Sequence, residues 1–151
     1  MDNKEVISTL NDLIEVSKDG EEGFRNAAEN VEVTPLKEYF LDRSQQVATS
    51  VHELQDLVRT LGGQPETESS VSGALHRRWL DFKTALTSND TVAVLNETER
   101  GEDVALAKYK KAIEKELPPT VRNVVQRQLE GVQRNHDRVK QLRDAARAEV
   151  G

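Results

Sequence analysis

Glu99 and Glu102 stand three residues apart on what reads as the apolar stripe of a long helix, where leucines would be expected. His136 takes the matching place on the last helix, and Glu21 does so on the first. Carboxylates with an imidazole are the donor set that iron and similar divalent cations accept. Facing a bundle interior, each such group carries a heavy desolvation penalty unless it is paired or bound to a metal. The chemistry these residues suggest is a metal centre, or a buried ion-pair layer in its place.

Four segments must position these groups, because apolar residues recur in them every three or four positions. The first runs Val6, Leu10, Leu13, Ser17, Glu21, Phe24, Ala28, Val31. The second runs Leu36, Phe40, Ser44, Val47, Val51, Leu54, Val58, Leu61. The third runs Val92, Leu95, Glu99, Glu102, Leu106, Tyr109, Ile113, and the fourth Val121, Val125, Gln128, Val132, His136, Val139, Leu142, Ala146. Each predicts a helix of roughly 40 Å. Thr34 reads as an N-cap with Pro35 at the first helical position, and Asp90 as a cap for the third helix. Gly62-Gly63 ends the second helix, and Leu117-Pro118-Pro119-Thr120 turns the third into the fourth. Gly20 and Gly101 adjoin the polar positions and suggest close helix approach there.

Between Gly62 and Asn89 the chain is too long for a hairpin. Val71, Leu75, Trp79, Phe82 and Leu86 predict a shorter helix within it, with His76 on its wet side. Short turns at both ends and one long middle connection are the mark of a ferritin-like bundle. The expected fold is therefore all-α: a single ferritin-like four-helix-bundle domain over residues 1–151, with a crossover helix.

In antiparallel helices, residues equidistant from a turn lie at one level. Glu99 and His136 are nearly equidistant from Pro118, so they should face each other, and Glu21 should lie level with Arg43 and Ser44. A two-metal carboxylate bundle needs a glutamate from each of two helices and a Glu-x-x-His pair from each of the others. Glu21, Glu99, Glu102 and His136 fit part of that pattern, with Tyr109 near enough to hydrogen-bond a carboxylate. Gln133-x-x-His136 carries an amide in place of the carboxylate. The second helix fails, because His52 follows Thr49 and sits beside the stripe. A partial, single-metal site through Glu21, Glu102 and His136 remains, or an ion-pair cluster in which Arg43 supplies the positive charge. Glu22, with Arg25 three residues on, reads as a surface pair.

Composition narrows the function classes. Hydrophobic residues make up 36% of the 151 and aromatics only 4%, against 32% charged, a profile that suits long wet-faced helices better than a sheet. There is no cysteine, so thiolate metal sites and disulfides are excluded. A net charge of -6 argues against nucleic-acid binding, since acidic residues interrupt the arginines of the last helix. No apolar run suits a membrane span or a secretory signal, and the expectation is a cytoplasmic, soluble chain. Exposed helix faces leave room for self-association or a protein partner. No phosphate loop and no nucleophile elbow are present.

Several segments carry a resemblance: Leu10-Asn11-Asp12-Leu13-Ile14, Asp19-Gly20-Glu21-Glu22-Gly23-Phe24, Leu75-His76-Arg77-Arg78-Trp79 and Glu99-Arg100-Gly101-Glu102-Asp103, with Leu117-Pro118 and His136-Asp137. In these the chain resembles a family of bacterial ferritin-like four-helix-bundle proteins of unknown function. The resemblance implies a ferritin-like fold, an association with stress responses and no established reaction. Ferritins and rubrerythrins are more remotely similar. Their ligand pattern maps onto Glu21, Glu102 or Glu99, and His136, which makes iron the implied metal.

Overall fold

The computed structural model describes residues 1–67 and 91–150. They form four helices: α1 (Asn3–Asn30), α2 (Thr34–Thr60), α3 (Thr91–Ile113) and α4 (Pro119–Val150). No strand occurs among the described residues, and no helix there is long and apolar enough to cross a membrane. The expected crossover helix, the Asp90 cap and the Leu75–Trp79 motif lie outside the described residues.

Local chemistry sets the helix ends. Asp2 caps α1, its Oδ1 accepting from the Glu5 N–H at 2.9 Å. At α2 the cap is Val33 rather than Thr34, and no side chain bonds there. Pro35, already lacking an N–H and fixed near helical φ, starts the helix without one. After α2, Gly62 takes φ +83°, a conformation that only glycine adopts freely. The next residues are strapped back onto the bundle: Asn11 Nδ2 donates to Gln64 O (3.2 Å), Glu66 N to Asn11 Oδ1 (2.8 Å) and Gln55 Nε2 to Glu66 O (3.0 Å). A Cβ on Gly63 would lie 2.8 Å from the Ile7 side chain, so glycine there permits the close return. Between α3 and α4, Arg122 Nη1 donates to the free Ile113 carbonyl at 3.0 Å.

The two hairpins, α1 with α2 and α3 with α4, pack together chiefly through α1 and α3. Their apolar faces form two buried clusters. One contains Leu10, Leu13, Ile14, Leu54, Val58, Tyr109, Val121 and Val125. The other contains Phe24, Ala27, Phe40, Val94, Leu95 and Val139. On α1 and α3 the buried polar residues Ser17, Asp19, Thr98 and Glu102 fall between the two clusters in sequence order, and Arg43 and Ser44 on α2 and Gln128 on α4 join them in one polar band. The site is this band and its flank.

Candidate functional site

The band is tied together by a hydrogen-bonded chain through all four helices. Ser17 Oγ lies 3.2 Å from Tyr109 Oη, which donates to Gln128 Oε1 at 2.7 Å. Gln128 Nε2 in turn donates to Glu53 Oε1 at 2.8 Å, and Arg127 closes the chain by pairing with Glu53. Tyr109 therefore bonds an amide and a hydroxyl rather than the carboxylate expected for it. Burial raises its phenol to about 12, so it remains a donor at any ordinary pH. Burial also pushes the Glu53 carboxyl up, but the hydrogen bonds from Arg127 and Gln128 outweigh it and hold the group below its ordinary value.

Beside this chain, Arg43 Nε stands 3.5 Å from Glu102 Oε1, with both side chains over nine-tenths buried. The guanidinium also lies 5.7 Å from the centre of the Phe24 ring, and its Nη1 donates to Gln46 at 3.4 Å. The pair is not fully satisfied: Arg43 Nε and Glu102 Oε2 are buried with no hydrogen-bond partner. Burial raises the Glu102 carboxyl above its ordinary value, with Arg43 and then His136 pulling the other way. Here Arg43 does supply the positive charge that the sequence offered as the alternative to a metal.

On the flank toward α4 a second group assembles. His136 Nε2 approaches Asp103 Oδ1 at 2.6 Å and Glu99 Oε1 at 3.9 Å. His136 Nδ1 lies 3.2 Å from Asp137 Oδ1, and Arg143 pairs with the other Glu99 oxygen. One donor atom from each of Glu99, Asp103 and His136 falls within 4.8 Å of the others, a spacing able to hold a metal ion. Asp137 supplies what a ligating histidine needs behind it: a carboxylate on the far nitrogen that fixes the ring and its tautomer. The hydrogen bonds to His136 and then Gln133 hold the Asp137 carboxyl below its ordinary value.

The four residues singled out in the sequence thus go to three places. Glu99 and His136 meet, as their distances from the turn require. Glu102 lies inside the bundle against Arg43. Glu21 points sideways, paired with Arg25 at 3.1 Å, so the surface pair belongs to Glu21 rather than Glu22. Its level is nevertheless right, because Ser44 Oγ donates to Glu21 O at 3.0 Å. The set Glu21, Glu102 and His136 therefore does not form one coordination sphere, and the charge beside Glu102 is that of Arg43. His52 is exposed, as expected.

Asp103 is the ligand candidate that sequence reasoning missed. The signal was present: Asp103 follows Glu99 by one helical turn, so a Glu99 facing His136 carries Asp103 with it. Gly20 and Gly101 also depart from expectation. A Cβ on either would meet nothing within 4 Å, so they open a cavity rather than allow close packing.

A family model described as a domain of unknown function (DUF2383) matches residues 5–115, well over half of the chain. The match takes in α1, α2 and α3 and ends in the turn before α4, the helix that brings His136 and Arg143. No curated protein matches the chain.

Proposed function

The chain belongs to the family described as a domain of unknown function (DUF2383), and from that premise we propose that it is a non-enzymatic helical bundle binding one divalent transition metal through Glu99, Asp103 and His136. The observation that carries this reading is the convergence of three donor atoms within 4.8 Å, with Asp137 behind the imidazole. One nitrogen and two oxygens suit iron(II), manganese(II) or zinc(II). Both ring nitrogens of His136 face carboxylate oxygens. A doubly protonated ring satisfies both, and a metal in place of the Nε2 proton does so equally. Such an ion would tie α3 to α4 at the edge of the polar band. The two-metal arrangement of ferritins gains no support, since Glu102 pairs with Arg43 and Glu21 with Arg25. A ferritin-like ancestry with a reduced site, in a stress-associated cytoplasmic protein, remains our reading of the resemblance.

A second reading rests on Arg143, whose pairing with Glu99 makes the same cluster an ion-paired clasp needing no metal. Calorimetric titration with manganese(II) and iron(II), the latter without oxygen, separates the two. We expect a stoichiometry near one, lost in His136→Ala and in Asp103→Asn, retained in Glu21→Ala, and tightened in Arg143→Ala, which frees Glu99. Absence of saturable binding, or binding unchanged in His136→Ala, would leave the clasp alone.

A further inference from the structure

The polar band encloses space that its own side chains do not fill. On the α1–α3 side is a cavity of about 40 Å³, bordered by Val16, Gly20, Phe24, Gly101 and Ala105 and reached by Glu102. On the α2–α4 side is a larger cleft of about 270 Å³. Ser17, Arg43, Val47, Tyr109 and Val132 line both, so the two adjoin. A cavity of roughly 10–15 Å³ already admits a water, so the inner one takes at least a methyl-sized group.

The charges around the cleft point to one class of occupant. Among the described residues its lining includes Arg43, Arg127 and Arg134 but no carboxylate, in a chain of net charge -6. Arg127 is held by Glu53 and Arg43 faces Glu102. Arg134 has no ion pair among the described residues, which leaves the cleft one positive charge in excess. Arg43 adds its Nη1 on this side, held only by a long hydrogen bond of 3.4 Å to Gln46, while its Nε faces Glu102. Guanidinium groups recognise planar oxyanions through paired hydrogen bonds. Behind this charged mouth the inner cavity is mostly apolar.

We propose that the cleft binds a small organic monoanion, a short-chain carboxylate whose head lies among Arg43, Gln46 and Arg134 and whose tail reaches toward Gly20 and Gly101. The site shares no ligand with the α3–α4 cluster and stands whether or not a metal binds there. The two glycines then have a use that packing does not give them: they leave room for the end of the tail. A longer acid is excluded by the small inner volume, and a dianion by the single excess charge.

Calorimetric titration of the full chain with acetate, propionate, butyrate and octanoate tests this, in metal-free buffer at constant ionic strength to fix screening. Saturable binding strongest for propionate or butyrate is expected, weakened about tenfold in Arg134→Gln through loss of one charged contact. Gly20→Ala/Gly101→Ala adds two methyl groups where nothing obstructs them, so the fold is kept while the inner cavity shrinks. That variant should keep acetate binding and lose the preference for longer acids. No saturable binding by any acid, equal binding of inorganic phosphate, or an Arg134→Gln variant indistinguishable from wild type would each overturn the proposal.

Discussion

At the scale of single residues, Arg43 and Glu102 decide how the middle of the bundle is held. Each is buried, and each lacks one hydrogen bond. Removing one charge leaves the other without compensation, so Arg43→Met should lower stability by about 3–5 kcal/mol. Replacing both with apolar groups removes the penalty along with the pair, so Arg43→Met/Glu102→Leu should recover most of that loss. Urea denaturation in metal-free buffer measures both, and a double variant as unstable as the single would show that the pair itself stabilises the fold. Glu53 offers a separate test through pH. Its folded-state value lies below the ordinary 4.5, so its contribution is present above pH 4.5 and is lost as pH falls through the lower folded value. The melting-temperature difference between wild type and Glu53→Gln should therefore be larger at pH 7 than at pH 3. A difference independent of pH would mean that Arg127 and Gln128 do not favour the charged form. Which carboxylate meets which cation was only partly legible in the sequence. Glu21, Glu22 and Arg25 are adjacent, and the choice between i,i+3 and i,i+4 pairing turns on side-chain rotamers that spacing does not specify.

Helices were easier to read than the groups on them. Four long periodic stretches gave four helices, with the turns at residues 31–33 and 114–118 where Thr34-Pro35 and Leu117-Pro118-Pro119-Thr120 put them. The errors lie in rotation. Glu99 and Glu102 differ by about 60° around a helix axis at 3.6 residues per turn. That is enough to send Glu102 inward and leave Glu99 on the flank facing α4. The buried residues before it are Val94, Leu95 and Thr98, so the inner face of α3 is turned away from Val92 and Glu99. Glycine was misread for a related reason. A glycine inside a helix signals either a close neighbour or an empty space, and composition does not distinguish them. At Gly20 and Gly101 the space is empty, so alanine adds no clash and restores helix propensity. Each substitution should raise stability by up to about 1 kcal/mol. Gly63→Ala should lower it, since its Cβ would press on Ile7. Equilibrium unfolding of the three variants checks this, and a destabilised Gly101→Ala would mean that the inner cavity closes in solution.

The whole molecule is two apolar clusters with a polar band between them, and its candidate chemistry lies at the edge of that band rather than at its centre. In the centre the ionic pair is protein with protein; on the flank, Glu99, Asp103 and His136 present donor atoms to a common point. The family match covers α1, α2 and α3, while α4 adds Gln128 to the band and completes the flanking cluster. The most direct measurement is pulsed electron paramagnetic resonance on manganese(II)-loaded protein, which reads nitrogen coupled to the bound ion. We expect coupling from one imidazole nitrogen in wild type and none in His136→Ala. A spectrum without nitrogen coupling, or with coupling that survives in His136→Ala, would contradict metal binding at this cluster.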